Sequence, residues 1–419
     1  MVFRYDIGAA HETRDPDDPE RPPRPRRHGM TAGPLAGVRI VDLTQTLAGP
    51  YATMLLADLG ADVLKIESPG RPDRARSMPT VRVGDQTAYF ACLNRNKRSV
   101  ALDLKDEHGR AAFLRLVASA QVVVENFRPG VMDRLGVGFE ALREVNPAIV
   151  LCSISGFGAG AGARDQATYD YLVQALAGTM SITGEPDGPP AKYGVSIVDH
   201  VAGTFGALGV LAALQDAQRT GEGRHVDVSL FDTHLSMLTY LAADYLNGGT
   251  APVRHASSAH PYIVPSQLFE TADGHIVVMP LAAHMWKKLC TALELDELAA
   301  DPALDDAEGR LAQRERVVRG VGAAIAALPT AEALARLASN EVPAAPVRTV
   351  AEALADPHVA DRGMLVEAGG VQMVGNPVKI SGYDDPEYAA APDLGAHTRE
   401  VLREAGLTDE EAARADGLG

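Results

Sequence analysis

Cysteine is scarce: three residues, Cys92, Cys152 and Cys290, stand far apart in 419 and in no metal-like spacing. Neither a disulfide scaffold nor a cysteine-ligated metal centre can be built from them, and a reduced, cytoplasmic setting fits. Long hydrophobic runs are missing too. A membrane helix needs about 18 consecutive apolar residues. The best candidate, residues 201–214 (VAGTFGALGVLAAL), is short, rich in small residues, and flanked by Asp199, His200, Gln215 and Asp216. It reads as a buried core helix, so no membrane partner is expected. Positive charge is in deficit, with 39 basic against 55 acidic residues and a net charge of −16. Such a surface repels nucleic acid and anionic lipid at long range. Small anionic metabolites stay open, because a few local Arg and Lys residues can hold a phosphate. No P-loop, HExxH, G-x-S-x-G or C-x-x-C motif occurs, and no metal is expected.

What is present is ordinary globular material, 46% apolar and 22% charged, in a chain long enough for two or three domains. Residues 1–30 stand apart. Their Pro-rich, mixed-charge run DPDDPERPPRPRR has no apolar periodicity to offset its ordering entropy, and reads as a disordered tail or an extension upstream of Met30. From about residue 34, short apolar strands alternate with helical patterns. Strands are expected at 38–43, 62–66, 99–104, 122–125, 148–154 and 226–230. Helices are expected at 51–59, 109–120, 139–145, 169–180, 201–219 and 232–246. This alternation predicts an α/β domain over 31–248 with a Rossmann-like parallel sheet buried on both faces. Residues 249–265 read as a linker. A hairpin turning at Asp273-Gly274, followed by helices, predicts a smaller α+β domain over 266–345. Residues 346–419 hold extended segments near 371–380 and a last helix near 398–405.

Three clusters carry candidate chemistry. Residues 94–99 (NRNKRS) precede a strand, and Arg71, Arg74 and Arg76 follow the second strand. Cations at strand ends of an α/β domain suit a phosphorylated ligand. In VENFRPGVMDR, Asn126, Phe127 and Arg134 fall at the same edge. In SIVDH, Asp199 lies immediately before the apolar helix, where its ordinary role is an N-cap. The glycine-rich stretch at 156–164 (GFGAGAGAR) lacks the G-x-G-x-x-G spacing and reads as a flexible loop.

The ordered set PLAGVRIVDLTQTLAGPYATMLLADLGADVLKIESPG, NRNKRSVALDLK, VENFRPGVMDRLG, NPAIVLCSISGFG, YDYLVQALAGTMSITG, DHVAGTFGALGVLAALQ, GHIVVMPLAAHMW and GAHTREVL resembles the class III CoA-transferase (CaiB/BaiF) family. That family includes formyl-CoA and carnitine CoA-transferases. The resemblance implies an interlocked homodimer, with N- and C-terminal segments building the larger domain and the smaller one inserted between. It implies CoA transfer from an acyl-CoA to a carboxylic acid, with the thioester as substrate and no permanently bound cofactor. It places Asp199 as the nucleophile, passing through an aspartyl anhydride and an aspartyl-CoA thioester. Tyr89, Tyr169 and Asp170 are its implied neighbours. CoA falls to Leu102, Asn126, Phe127 and Arg134, with Arg71, Arg74, Lys97 and Arg98 as the cations for its phosphates. The chain also departs from the family pattern. Ser68 stands where formyl-CoA transferase has a nucleotide-binding arginine, Ala167 where it has a lysine, and HASSAHPY where it has a glycine loop. The α-methylacyl-CoA racemases share this fold and are the alternative. They carry His-Asp where this chain has Tyr169-Asp170, and a tyrosine of pKa ~10 is a poor base near neutral pH.

Overall fold

The computed structural model describes residues 33–160 and 168–416. The expected N-terminal tail, residues 161–164 of the glycine-rich stretch and Ala167 lie outside the described residues. The chain forms two compact units. The larger takes residues 33–160, 168–180, 192–251 and 354–416; residues 181–191 and 252–353 build the other.

The larger unit carries six parallel strands: β1 (Arg39–Asp42), β2 (Asp62–Glu67), β3 (Lys97–Ala101), β4 (Val122–Glu125), β5 (Val150–Ser155) and β6 (His225–Ser229). Their order is β3-β2-β1-β4-β5-β6, parallel throughout. The order reverses direction between β1 and β4, and ligands of such sheets bind outside the strand C-termini at that switch. Alternate strand residues serve opposite faces. Ile40, Val63, Val124, Cys152 and Ile154 pack under α1 (Ala48–Asp58) and the long helix Ile197–Thr220. Val41, Leu64, Val100, Val123 and Leu151 meet α2 (Glu107–Val117) and the C-terminal helices Thr398–Glu404 and Asp409–Ala415.

Helix Ile197–Thr220 has a mean hydropathy of 1.7 over its most apolar window and is long enough to cross a membrane. It is seated instead on α1 and the sheet by glycine. A Cβ on Gly203 would stand 2.5 Å from the Ala48 carbonyl oxygen, and one on Gly206 2.9 Å from Ile154 Cδ1. Small residues here exist to let backbones approach.

Several elements differ from the sequence expectation. The helix foreseen at 232–246 breaks into Leu230–Ser236 and Thr239–Gly248, with Thr239 at φ 35. The extended stretch near 371 is half of an antiparallel hairpin, Leu365–Ala368 with Val371–Val374. Its Gly369-Gly370 turn has φ 61 and 76, a left-handed pair that suits glycine.

In the smaller unit, Gln267–Glu270, His275–Val278 and Ala344–Pro346 form an antiparallel sheet over a core of Trp286, Leu289, Val317, Val321, Ile325 and Leu337. Its boundaries are wider than expected. The supposed linker is bound into it from about residue 252. The Arg310 Nε–H donates to the Val264 carbonyl at 3.1 Å, and Arg314 Nη2 to those of His260 and Pro261 at 3.0 and 2.7 Å. Residues 181–191 join through Arg254, whose Nη1 donates to the Gly188 carbonyl at 2.8 Å.

A fully buried charge network ties the first three strands of the larger unit. Lys97 Nζ donates to Asp42 Oδ2 at 2.9 Å, Thr53 Oγ1 at 2.8 Å, Asn94 Oδ1 at 2.9 Å and the Pro50 carbonyl at 3.1 Å. Lys65 Nζ donates to Asp73 Oδ2 and the Thr44 carbonyl, both at 2.9 Å. The neighbouring lysines hold the Asp42 carboxyl below its usual range despite burial, which alone would raise it. Burial brings the Lys97 ammonium down to about 8, with Asp42 opposing. Removing one partner of such a network leaves a buried charge uncompensated. Lys97→Met is therefore expected to cost about 3–5 kcal/mol, read as a fall in the urea midpoint with unchanged slope.

Candidate active site

The helix carrying Asp199 begins earlier than its apolar run announces. It opens at Ile197, so Asp199 sits inside the first turn and is not its N-cap. Ser196 occupies the cap position and makes no side-chain cap bond. The cap comes from elsewhere in the chain: the Val198 N–H donates to Asp170 Oδ2 at 2.8 Å. Asp170 opens α3 (Asp170–Leu176) and is 5% exposed. Its other oxygen accepts from Gln174 Nε2 at 2.6 Å, and Gln174 Oε1 accepts from the Tyr193 N–H at 2.8 Å. One carboxylate thus fixes α3, the segment at 193 and the start of the long helix, and both its oxygens are engaged. His200 Nδ1 lies 2.7 Å from the Ser196 carbonyl, and its ring meets Tyr51 edge-on at 4.8 Å.

Asp199 is half-buried. Among the described residues no hydrogen bond to its carboxylate is found. Burial, then repulsion from Asp170, lifts its pKa to about 7. Tyr89, on the helix Ala88–Asn94, is pushed up to about 12 by burial and by the Asp199 charge. Tyr89, Asp170 and Asp199 therefore share one electrostatic neighbourhood. Tyr169 is 64% exposed, and its carbonyl accepts from Leu172 and Val173.

At the strand C-termini, Asn126 stitches the switch point together. Its Oδ1 accepts from the Gln45 N–H and its Nδ2 donates to the Gln45 carbonyl, both at 2.8 Å. Phe127 is half-buried against the core between the sheet and α2, and Leu102 is inside it at 1% exposure. Arg71, Arg74 and Arg134 are exposed at this edge, and no ion pair engages them among the described residues. Arg76, by contrast, is held by Glu67 at 2.6 Å.

Two of the expected phosphate cations are elsewhere. The basic run at 94–99 enters β3 at Lys97, two residues before the expected strand start. Lys97 is consumed by the buried network. Arg98 is at the opposite, N-terminal edge of the sheet, clamped to Asp62 at 2.7 Å and Glu404 at 2.8 Å. Neither reaches a ligand at the strand C-termini. A run of cations looks the same in sequence whether it ends a strand or begins one.

Sequence reasoning also missed a small cavity lined by Glu125, Phe127, Ser153, His225 and Asp227. It lies on the sheet face away from Asp199. Burial raises the Glu125 carboxyl to about 7, and Ser153 Oγ meets His225 Nε2 at 3.0 Å. The polar residues at alternate positions of β4, β5 and β6 were its only signal.

A half-buried acid is thus lifted toward neutrality, and exposed arginines stand at the strand C-termini, where sheets of this order bind their ligands. The chain matches the model of CoA-transferase family III over residues 35–398 and belongs to that family. It is 43% identical over 364 residues to the acetyl-CoA:oxalate CoA-transferase of Acetobacter aceti, across 86% of this chain and 93% of that enzyme. It is 42% identical over 388 residues to the succinyl-CoA:mesaconate CoA-transferase of Haloarcula hispanica, across 90% and 97%. A solved CaiB/BaiF family protein from Brucella suis superposes with a TM-score of 0.79 at 37% identity, covering 90% of this chain and 100% of that one. The protein is an enzyme that moves coenzyme A from an acyl-CoA to a carboxylic acid.

The electrostatics of Asp199 carry a stability signature. Its folded pKa lies above that of an unfolded aspartate, so folding binds a proton and ionisation opposes it. The penalty is absent below about pH 4 and complete above about pH 7. Asp199→Asn is expected to raise Tm by an amount that grows between these limits and then levels off, measured by calorimetry across the range.

Proposed function

We propose that Asp199 is the covalent acceptor of the transfer and that the acids exchanged are dicarboxylic. The observation that carries the first part is a half-buried carboxylate lifted to about pKa 7 by burial and by Asp170, with no cation among the causes of its shift. Burial and repulsion both penalise its charge, and acylation removes that charge. Forming an anhydride or thioester at Asp199 therefore relieves a cost already present in the free enzyme, and the raised basicity makes the ionised fraction a better nucleophile.

The steps balance without ATP or metal. The Asp199 carboxylate attacks the thioester carbonyl of the donor; the C–S bond breaks and CoA leaves as thiolate, giving an acyl-aspartyl anhydride. The thiolate attacks the Asp199 carbonyl carbon, the anhydride C–O bond breaks, and the donor acid departs. The acceptor carboxylate attacks the aspartyl-CoA thioester, and the returning thiolate takes the acceptor's acyl carbon. Asp170, with both oxygens engaged, positions the helix and is no base. Tyr89, its phenol held neutral, can donate a hydrogen bond to the oxyanion of either step. Arg71, Arg74 and Arg134 take the CoA phosphates in this reading.

The acids named for the relatives, oxalate and mesaconate, each carry two carboxylates, which supports the dicarboxylic class. The interlocked homodimer belongs to the same reading. Tyr171, Leu172, Leu176, Phe205, Leu208 and Leu246 are exposed apolar side chains of the larger unit, more than a solitary protein leaves uncovered. We place the work in the cytoplasm, with neither membrane nor nucleic acid as partner.

Asp199→Ala is expected to abolish transfer while CoA still binds. With ¹⁸O-labelled acceptor, wild type should pass label into Asp199 and then into the released donor acid. Transfer retained by the alanine variant, or labelled acid without labelled Asp199, overturns the assignment. Light scattering should give twice the 44.2 kDa of the chain; the single-chain mass overturns the dimer.

A further inference from the structure

The helix that delivers Asp170 cannot place itself. α3 has seven residues, and a helix that short takes its position from tertiary contacts. Tyr171, Leu172 and Leu176 on it are exposed. Its inward side, Val173 with the following Ala177, shares a core with Val198, Ala202 and Leu230. At its N-terminal end Asp170 takes the Val198 N–H. Its far end is held by a second polar contact. The chain turns back at Gly178, with φ 84, and the Thr179 hydroxyl donates to the Gln174 carbonyl at 3.1 Å. His234, on the helix Leu230–Ser236, brings its Nε2 to the same hydroxyl oxygen at 2.7 Å.

His234 is 3% exposed, and its Nδ1 is buried with no hydrogen-bond partner. A threonine hydroxyl has one proton, and here the Gln174 carbonyl takes it. The His234 ring nitrogen facing Thr179 is therefore the one that carries hydrogen, and Nδ1 keeps a lone pair. A proton on Nδ1 would find no acceptor. Burial lowers the His234 pKa, with the Asp170 charge opposing, and the ring works as a neutral donor. An apolar side chain would fill this place without the cost of an idle buried nitrogen. What it would lack is the N–H.

We infer that His234 is a positioning residue for CoA transfer: through Thr179 it pins the C-terminal end of α3, and so the carboxylate that α3 presents to the start of the long helix. The path is an unbroken run of hydrogen bonds. It passes from His234 through the Thr179 hydroxyl to the Gln174 carbonyl, from the Gln174 amide to Asp170 Oδ1 at 2.6 Å, and from Asp170 Oδ2 to the Val198 N–H at 2.8 Å. Asp199 is the next residue. Asp170 is the one charge among the causes that lift Asp199, so the seat of α3 sets both where the acid stands and how basic it is. The inference rests on Asp199 as the covalent acceptor; the clamp itself does not.

The test is the pH profile of transfer by the full-length enzyme, with succinyl-CoA and the best acceptor among oxalate, mesaconate and glutarate, the acids named for its relatives. In wild type kcat/KM should fall as Asp199 takes up a proton below about pH 7. His234→Phe should lower kcat about 10–100-fold, the scale of a misplacement of about 1 Å arising far from the reacting atoms. KM for the acyl-CoA should stay within about twofold. The acid limb should move to lower pH, because a slack α3 lets the Asp170 charge recede. The substitution exchanges one neutral ring for another, so a moved limb reports Asp170 and not a lost charge. His234→Gln, whose amide presents an N–H near the place of Nε2, should recover most of both. Thr179→Val removes the hydroxyl and should reproduce the phenylalanine variant, and it replaces that variant where His234→Phe fails to fold. Variants that lose Tm but keep kcat and the limb mark His234 as core filling. Glutamine as damaging as phenylalanine shows that the N–H holds nothing. Either result overturns the inference. Asp199→Ala in the same assay separates the two readings: transfer retained there removes the covalent acceptor, whereas an inactive Asp199→Ala beside wild-type behaviour in His234→Phe and Thr179→Val removes only the clamp.

Discussion

Two lysine ammonium groups lie wholly inside the sheet, and the geometry above them depends on how they are paired. Asp42, at the C-terminal end of β1, is the anion that Lys97 reaches from β3. Lys65, from β2, spans to the Thr44 carbonyl and to Asp73. Asp73 in turn accepts from the Thr46 N–H at 3.0 Å and the Ala75 N–H at 2.9 Å. The loop after β1 and the turn after β2 are thus bolted to one buried charge array. Those two loops form the rim of the switch point, where Asn126 adds its pair of bonds to Gln45. Replacing such a network by apolar residues often costs little, whereas removing one member costs a great deal. Here it fixes where the loops go.

The same economy of parts appears at Asp199. Asp170 closes the start of the helix that carries Asp199, and its charge helps to lift the Asp199 pKa. An uncharged cap would hold the helix but would leave Asp199 more acidic. The structural cap and the electrostatic tuning are one carboxylate, which explains why an acid, and not a serine or threonine in the local cap position, does this work.

The sheet was legible from the chain because strand and helix periods alternate cleanly through residue 230, and the six strands fall within a few residues of their expected places. Helix starts were less legible. The long helix begins in SIVDH, whose polar residues look like a loop when the cap is supplied by Asp170, 28 residues away. The misassignment of Lys97 and Arg98 has a similar root: burial of a lysine against a distant aspartate leaves no local trace. Asp199, Tyr89 and Asp170 were named from family pattern, and their shared electrostatics emerged only with the fold.

The chain has only seven lysines among its 39 basic residues. Acyl-CoA thioesters acylate free amines, and the amine most prone to this is one whose pKa lies near the ambient pH. Lys97, at about 8, would be such a target were it reachable. Sealed under α1, it never meets the thioester, and guanidinium groups, which stay protonated, dominate the surface cations. An enzyme that spends its life beside reactive acyl groups thus carries few places to be chemically scarred by its own substrate.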